Sequence, residues 1–105
     1  MEGYVVTFFT QENREHNGIS LANWIIEEAK KLDVRGATLL SGQEGFGDDG
    51  CFHSASYFDL EDRPQQVLLA LTYDEFDKLF FRIKENKLRI FYTKVQAEFG
   101  YTNAE

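Results

Sequence analysis

The period of the apolar positions changes several times along the chain, and each change predicts an element. "YVVTFFT", Tyr4 to Thr10, is β-branched and aromatic throughout, which predicts a strand with both faces largely apolar. The polar stretch "QENREHNG" reads as a connection. Leu21, Ile25, Ala29 and Leu32 then recur at helical spacing, with Trp24 beside them. Ser20 is placed to cap this first helix, Glu27, Glu28, Lys30 and Lys31 form its wet side, and it stops near Asp33 to Gly36. "ATLLS", Ala37 to Ser41, predicts a second strand. "CFHSASYF", Cys51 to Phe58, alternates aromatic and small side chains and suits a hairpin arm. Pro64, the only proline, marks a turn or a sheet edge. "VLLALT", Val67 to Thr72, reads as a continuous buried strand. Thr72 and Glu75 have capping-box spacing, and Phe76, Leu79, Phe80 and Ile83 form a helical stripe. "LRIFYTKV", Leu88 to Val95, predicts the last strand, and the tail after Gly100 is expected to fray.

Strand, helix, strand, strand, helix, strand is the order of the α+β, ferredoxin-like β-α-β-β-α-β fold. Two helices then cover one face of a four-stranded antiparallel sheet. In a monomer the other face is polar. Here Tyr4 to Phe9 and Val67 to Leu71 are apolar on both sides, so the second face needs a cover, and another copy of the chain is the expected one.

At 105 residues, with 43% hydrophobic and 15% aromatic content, the chain predicts one domain, residues 1–105, with its own core. The net charge of −7 disfavours nucleic acid and anionic membrane surfaces as partners. The lone Cys51 forms no internal disulfide, which with the absence of a signal peptide predicts a cytoplasmic location. No apolar run approaches the length of a membrane span, so no membrane insertion is expected.

The stretch "GQEGFGDDGCFHS", Gly42 to Ser54, invites four chemical readings. Gly45-Phe46-Gly47 matches the core of an RNA-recognition signature, but it lies after the second strand with acidic neighbours instead of basic ones. Cys51 and His53, two apart, with Glu44, Asp48 and Asp49 nearby, form a weak metal signal, because zinc wants three or four ligands at recognisable spacing. Side chains two apart on a strand seldom meet as a nucleophile and base, and His16 lies in a polar loop where solvation is the plain expectation, so no catalytic residue is assigned. Glycine backbone can cradle an anion, although Asp48 and Asp49 oppose one. A hairpin whose glycines only permit the turn explains the same residues.

"GATLLSGQEGFG", Gly36 to Gly47, followed by "HSASYFDLEDRP", His53 to Pro64, an apolar strand and a helix, closely resembles the PII-like signalling proteins, and within them the DUF190 branch. Arg63 stands where that branch usually has a leucine. The resemblance spans about residues 3 to 95. It implies a PII-like trimer with effector clefts between subunits, and a T-loop-like segment from about Gly45 to about Arg63 that meets a partner protein. It implies an adenine nucleotide as effector, with no cofactor required, near Thr38 and the Gly45, Phe46 and Gly47 loop base. The glycine-rich loop that wraps the phosphates in PII proteins is missing: "RIKENKLRIF" stands there, leaving Lys84, Lys87 and Arg89 as the charges available. Basic residues at a helix end are also explained by the helix dipole.

The expected ligand-binding residues are therefore Thr38, Gly45, Phe46, Gly47, Lys87 and Arg89. The expected function is non-enzymatic signal transduction: a homotrimer senses a small anionic metabolite and regulates a transporter or other partner protein through its loop. The alternative is a trimeric, CutA-like divalent-metal-binding protein using Cys51 and His53. A small enzyme on the same fold is a third reading, for which the sequence offers no catalytic dyad.

Overall fold

The computed structural model describes residues 1–42, 44–46, 52–54 and 62–103, with 44–46 and 52–54 as backbone. The elements run β1 (Glu2–Gln11), β2 (Glu15–His16), β3 (Ile19–Ser20), α1 (Leu21–Lys31), β4 (Thr38–Ser41), β5 (Glu44–Phe46), β6 (Phe52–Ser54), β7 (Pro64–Thr72), α2 (Tyr73–Glu85) and β8 (Phe91–Glu98). Four strands form one antiparallel sheet in the order β4-β7-β1-β8. This is the predicted ferredoxin-like fold, with β1 and β7 central and β4 and β8 at the edges.

Side-chain alternation divides β1 and β7 between two faces. Val6 and Phe8 of β1 and Val67, Leu69 and Leu71 of β7 point to the helices and are buried. They form one core with Leu21, Ala22, Trp24, Ile25 and Ala29 of α1 and Phe76, Leu79 and Ile83 of α2. The predicted helical stripes are thus the stripes that pack. Both predicted caps are present. The Ser20 hydroxyl accepts a bond from the Asn23 N–H at 3.2 Å. The Thr72 hydroxyl accepts from the Glu75 N–H at 3.2 Å, while the Glu75 carboxylate accepts from the Thr72 N–H at 2.9 Å.

The opposite face is formed by the alternate positions. Val5 pairs in register with Ala70 and Val95, Phe9 with Phe91, and Leu40 lies across from Gln66. Neither helix covers these side chains: Val5 is 40%, Leu40 48%, Phe91 58% and Val95 64% exposed. The Phe9 and Phe91 rings lie 5.6 Å apart on this bare surface. The sheet therefore has one buried and one open apolar face.

Three sequence expectations need correction. The connection after β1 contains a hairpin, β2 with β3, turned at Asn17 and Gly18, whose φ values of 54° and 83° are those of a tight left-handed turn. Glu28, expected on the wet side of α1, is buried. Its carboxylate accepts bonds from Lys31 at 2.7 Å and Arg82 at 3.1 Å, tying α1 to α2. The last strand begins at Phe91, not Leu88, because the end of α2 folds back first. Lys87 adopts φ 56°, its N–H bonds the Lys84 carbonyl at 2.9 Å, and the Leu88 N–H bonds that of Ile83 at 3.2 Å. This six-to-one closure satisfies helix carbonyls and turns Leu88 onto the core.

A methyl group at Gly3 would lie 1.9 Å from the Leu71 carbonyl oxygen and 2.7 Å from the Thr72 Cα, so Gly3→Ala must spread β1 from β7. Chemical denaturation is expected to show a loss of about 2–4 kcal/mol, and an unchanged midpoint would contradict this close approach. A second prediction concerns Glu28. The hydrogen bond from Lys31, then that from Arg82, holds its carboxyl below the usual carboxylate range against the opposing effect of burial. Its contribution is fully present above the ordinary carboxylate pKa and is lost as pH falls through the lower folded-state value. Glu28→Gln should therefore lower stability at pH 7 and reduce the difference in stability between pH 7 and pH 3.

Candidate functional site

A groove of about 300 Å³ opens where the uncovered face meets the start of β4. Val5, Leu68 and Ala70 form its apolar floor, and Arg35, Gly36 and Thr38 its polar side. Strand register builds this arrangement. Thr38 stands opposite Leu68, and Val5 opposite Ala70, so their side chains share the open face. Arg35 arrives through the end of α1. Asp33 takes φ 56°, and the Val34 N–H returns to the Ala29 carbonyl at 3.4 Å, sending residues 35 and 36 back towards the sheet.

The Arg35 guanidinium is held from two sides. It pairs with the Glu75 carboxylate and lies over the Phe99 ring, 5.0 Å from its centroid. Glu75 is in turn fixed by the α2 capping box. Arg35 is absent from the residues that sequence reasoning selects. Its partners are 40 and 64 positions away, so no local pattern reports it.

At the other end of β4, the Gly42 N–H donates to the Pro64 carbonyl at 2.7 Å, fixing where the next hairpin leaves the sheet. That hairpin is β5 with β6: Glu44 opposes Ser54, Gly45 opposes His53 and Phe46 opposes Phe52. Gly45 and Phe46 thus lie in a paired strand. Gly47, Asp48, Asp49 and Cys51 lie outside the described residues. Among the described residues, no group of three or more His, Cys, Asp or Glu side chains is arranged to hold a metal ion.

Lys87 and Arg89 are exposed beyond the end of α2. The Arg89 carbonyl accepts a bond from the Arg14 guanidinium, which ties this segment to the β2–β3 region. Within one chain, Thr38 and the Lys87–Arg89 segment are not neighbours: β4 and β8 are opposite edges of the sheet, about 14 Å apart at ordinary strand spacing. They are nevertheless related along the strands. Phe91 pairs with Phe9, Phe9 with Gln66, and Gln66 with Leu40, so the Lys87–Arg89 segment is level with the hairpin end of β4. His16, expected to be solvated, packs edge-on to Trp24 at 5.1 Å and bonds the Asn86 side-chain oxygen at 3.2 Å. The Asn86 amide nitrogen donates to the Arg82 carbonyl, so its oxygen faces His16 and the His16 Nε2 is the donor. This histidine braces the end of α2.

Solved structures share this architecture. A candidate PII-like signalling protein of Thermus thermophilus superposes with a TM-score of 0.62 at 16% identity, covering 92% of this chain and 90% of its own. CPII, a nitrogen regulatory PII-like protein of Thiomonas intermedia K12, superposes with a TM-score of 0.57 at 16% identity when bound to ADP, AMP and bicarbonate. Its complex with ADP and bicarbonate gives 0.58 at 15% identity. Both CPII comparisons cover 92% of this chain and 89% of the other. The fold is therefore PII-like. The sequence profile of the DUF190 family, described as "Uncharacterized ACR", matches residues 3–97, and the chain belongs to that family. No curated protein matches the sequence. Among the described residues, no helix is long and apolar enough to cross a membrane.

The backbone at Lys87 separates two contributions of that residue. Its left-handed conformation costs a lysine energy that glycine avoids. Lys87→Gly is expected to stabilise the fold by about 0.5–1 kcal/mol, and Lys87→Val to destabilise it. Thermal denaturation of both variants checks this, and the reverse order would contradict the assigned turn.

Proposed function

We propose that the protein is a non-enzymatic, PII-like signal-transduction protein that works as a cytoplasmic homotrimer. The observation that carries this reading is the ligand-sized groove at the rim of an apolar sheet face that the chain's own helices leave open. Three copies packed through that face exclude it from water and turn each groove into part of an inter-subunit cleft. The β8 edge of one copy then approaches the β4 edge of another. This supplies Lys87 and Arg89 to the hairpin end of β4 and the Gly45–Phe46–Gly47 loop base, with Thr38 at the other end of the same cleft; within one chain, β4 and the segment leading into β8 belong to opposite edges.

The proposed effector is a small anionic metabolite, an adenine nucleotide. Structural relatives bound to ADP and AMP support that choice. Since "RIKENKLRIF" contains no glycine, phosphate is met by side chains and not by a backbone cradle. Effector binding acts on the T-loop-like segment, which starts at the β5–β6 hairpin, and that segment engages a transporter or another regulated protein. Such a switch requires only that the effector bind one loop arrangement more tightly than the other.

Calorimetric titration with ADP and AMP, each with and without bicarbonate, tests the reading. One site per chain is expected, with Thr38→Val lowering affinity about tenfold, as loss of a hydrogen bond to a bound ligand does. A saturating nucleotide should also raise the melting midpoint by mass action. No heat and no thermal shift with either nucleotide would end the nucleotide-sensor reading.

A further inference from the structure

We propose that Arg35 is a specificity-determining residue of the groove, and that it reads the nucleoside end of the ligand and not the phosphates. This rests on the nucleotide-sensor reading above and adds the orientation in which the ligand lies. Among the described residues, Arg35 is the one charged residue that lines the groove. A free guanidinium there would mark a phosphate site. Glu75 changes the sign of that argument. The carboxylate pairs with Arg35, and the two side chains are only 24% and 17% exposed. The pair is close to neutral as seen from the groove, so it offers a phosphate little net attraction.

What remains is hydrogen-bonding capacity. The guanidinium carries five N–H donors in a rigid plane, and Glu75 and the Phe99 ring fix that plane. The surrounding chemistry is equally ill suited to a dianion. Val5, Leu68 and Ala70 give a flat hydrocarbon floor, and Thr38 adds one hydroxyl. A flat floor, a hydroxyl and a planar donor match a heteroaromatic ring or ribose, whose ring nitrogens and oxygens accept hydrogen bonds. The phosphates then point away from Arg35, along β4 towards the Gly42 end where the hairpin leaves the sheet.

Adenosine and ADP titrated against three proteins decide the matter: wild type, Arg35→Gln and Arg35→Lys. Arg35→Lys keeps the charge for Glu75 but loses the planar fork, so it reports on binding if Arg35→Gln folds poorly. Each variant is expected to weaken adenosine and ADP by the same factor, roughly tenfold or more, with Arg35→Lys melting close to wild type. Weakening of ADP alone would make Arg35 a phosphate contact and overturn the proposal. Unchanged binding of both ligands by Arg35→Lys and by any folded Arg35→Gln would overturn it while leaving the sensor reading intact. Failure of wild type to bind either ligand would instead remove the sensor reading, and this inference with it.

Discussion

The central constraint is a mismatch between a sheet with two apolar faces and a chain with helices for only one of them. β1 and β7 carry large hydrophobic side chains at consecutive positions, so alternation cannot hide them all on one side. α1 and α2 bury Val6, Phe8, Val67, Leu69 and Leu71. Val5, Phe9, Leu68, Val95 and their neighbours remain on the far side. The groove beside Thr38 exists because that far side is uncovered, and its floor is made of the same residues.

Magnitudes limit how the open face is covered in the proposed trimer. Val5, Leu40, Phe91 and Val95 are each about half exposed, and full burial contributes about 1 kcal/mol apiece. Some 4 kcal/mol per subunit only approaches the lower estimates of what association costs, about 4–15 kcal/mol. Face packing therefore needs help from the strand edges. Among the described residues, β4 and β8 are the edge strands of the sheet, and bonding between such edges in the proposed trimer would satisfy their outward backbone groups while bringing the Lys87–Arg89 segment to a neighbouring β4. The same contact would then complete both the assembly and the cleft. The fixed parts are the core, the two capped helices and the Glu28 bridge, while the hairpin beginning at β5 is joined to the sheet through the Gly42–Pro64 bond.

Local pattern made the fold legible. The stripe from Phe76 to Ile83, the Thr72–Glu75 capping box and the Ser20 cap each depend on residues three to seven apart, and all three form. Asn17-Gly18 was an equally local hairpin signal, hidden within a polar stretch with no hydrophobic alternation around it. Glu28 also had a signal: it lies three and four positions after Ile25 and Trp24, on the packed side of α1, although its charge suggested solvent. The start of β8 was obscured because Leu88 and Ile90 look like strand residues but pack against the core beyond the end of α2. The site was less legible. Thr38 could be reached through resemblance, but Arg35 acquires its surroundings from Glu75 and Phe99, which only the folded chain brings to it.

Sedimentation equilibrium on the full chain at micromolar concentration tests the central claim most directly. A covered second face predicts a single species with three times the 12.2 kDa chain mass, and dissociation when Val95 and Phe91 on the open face are replaced by glutamate. A stable 12.2 kDa wild-type species, with its second sheet face in water, would contradict it.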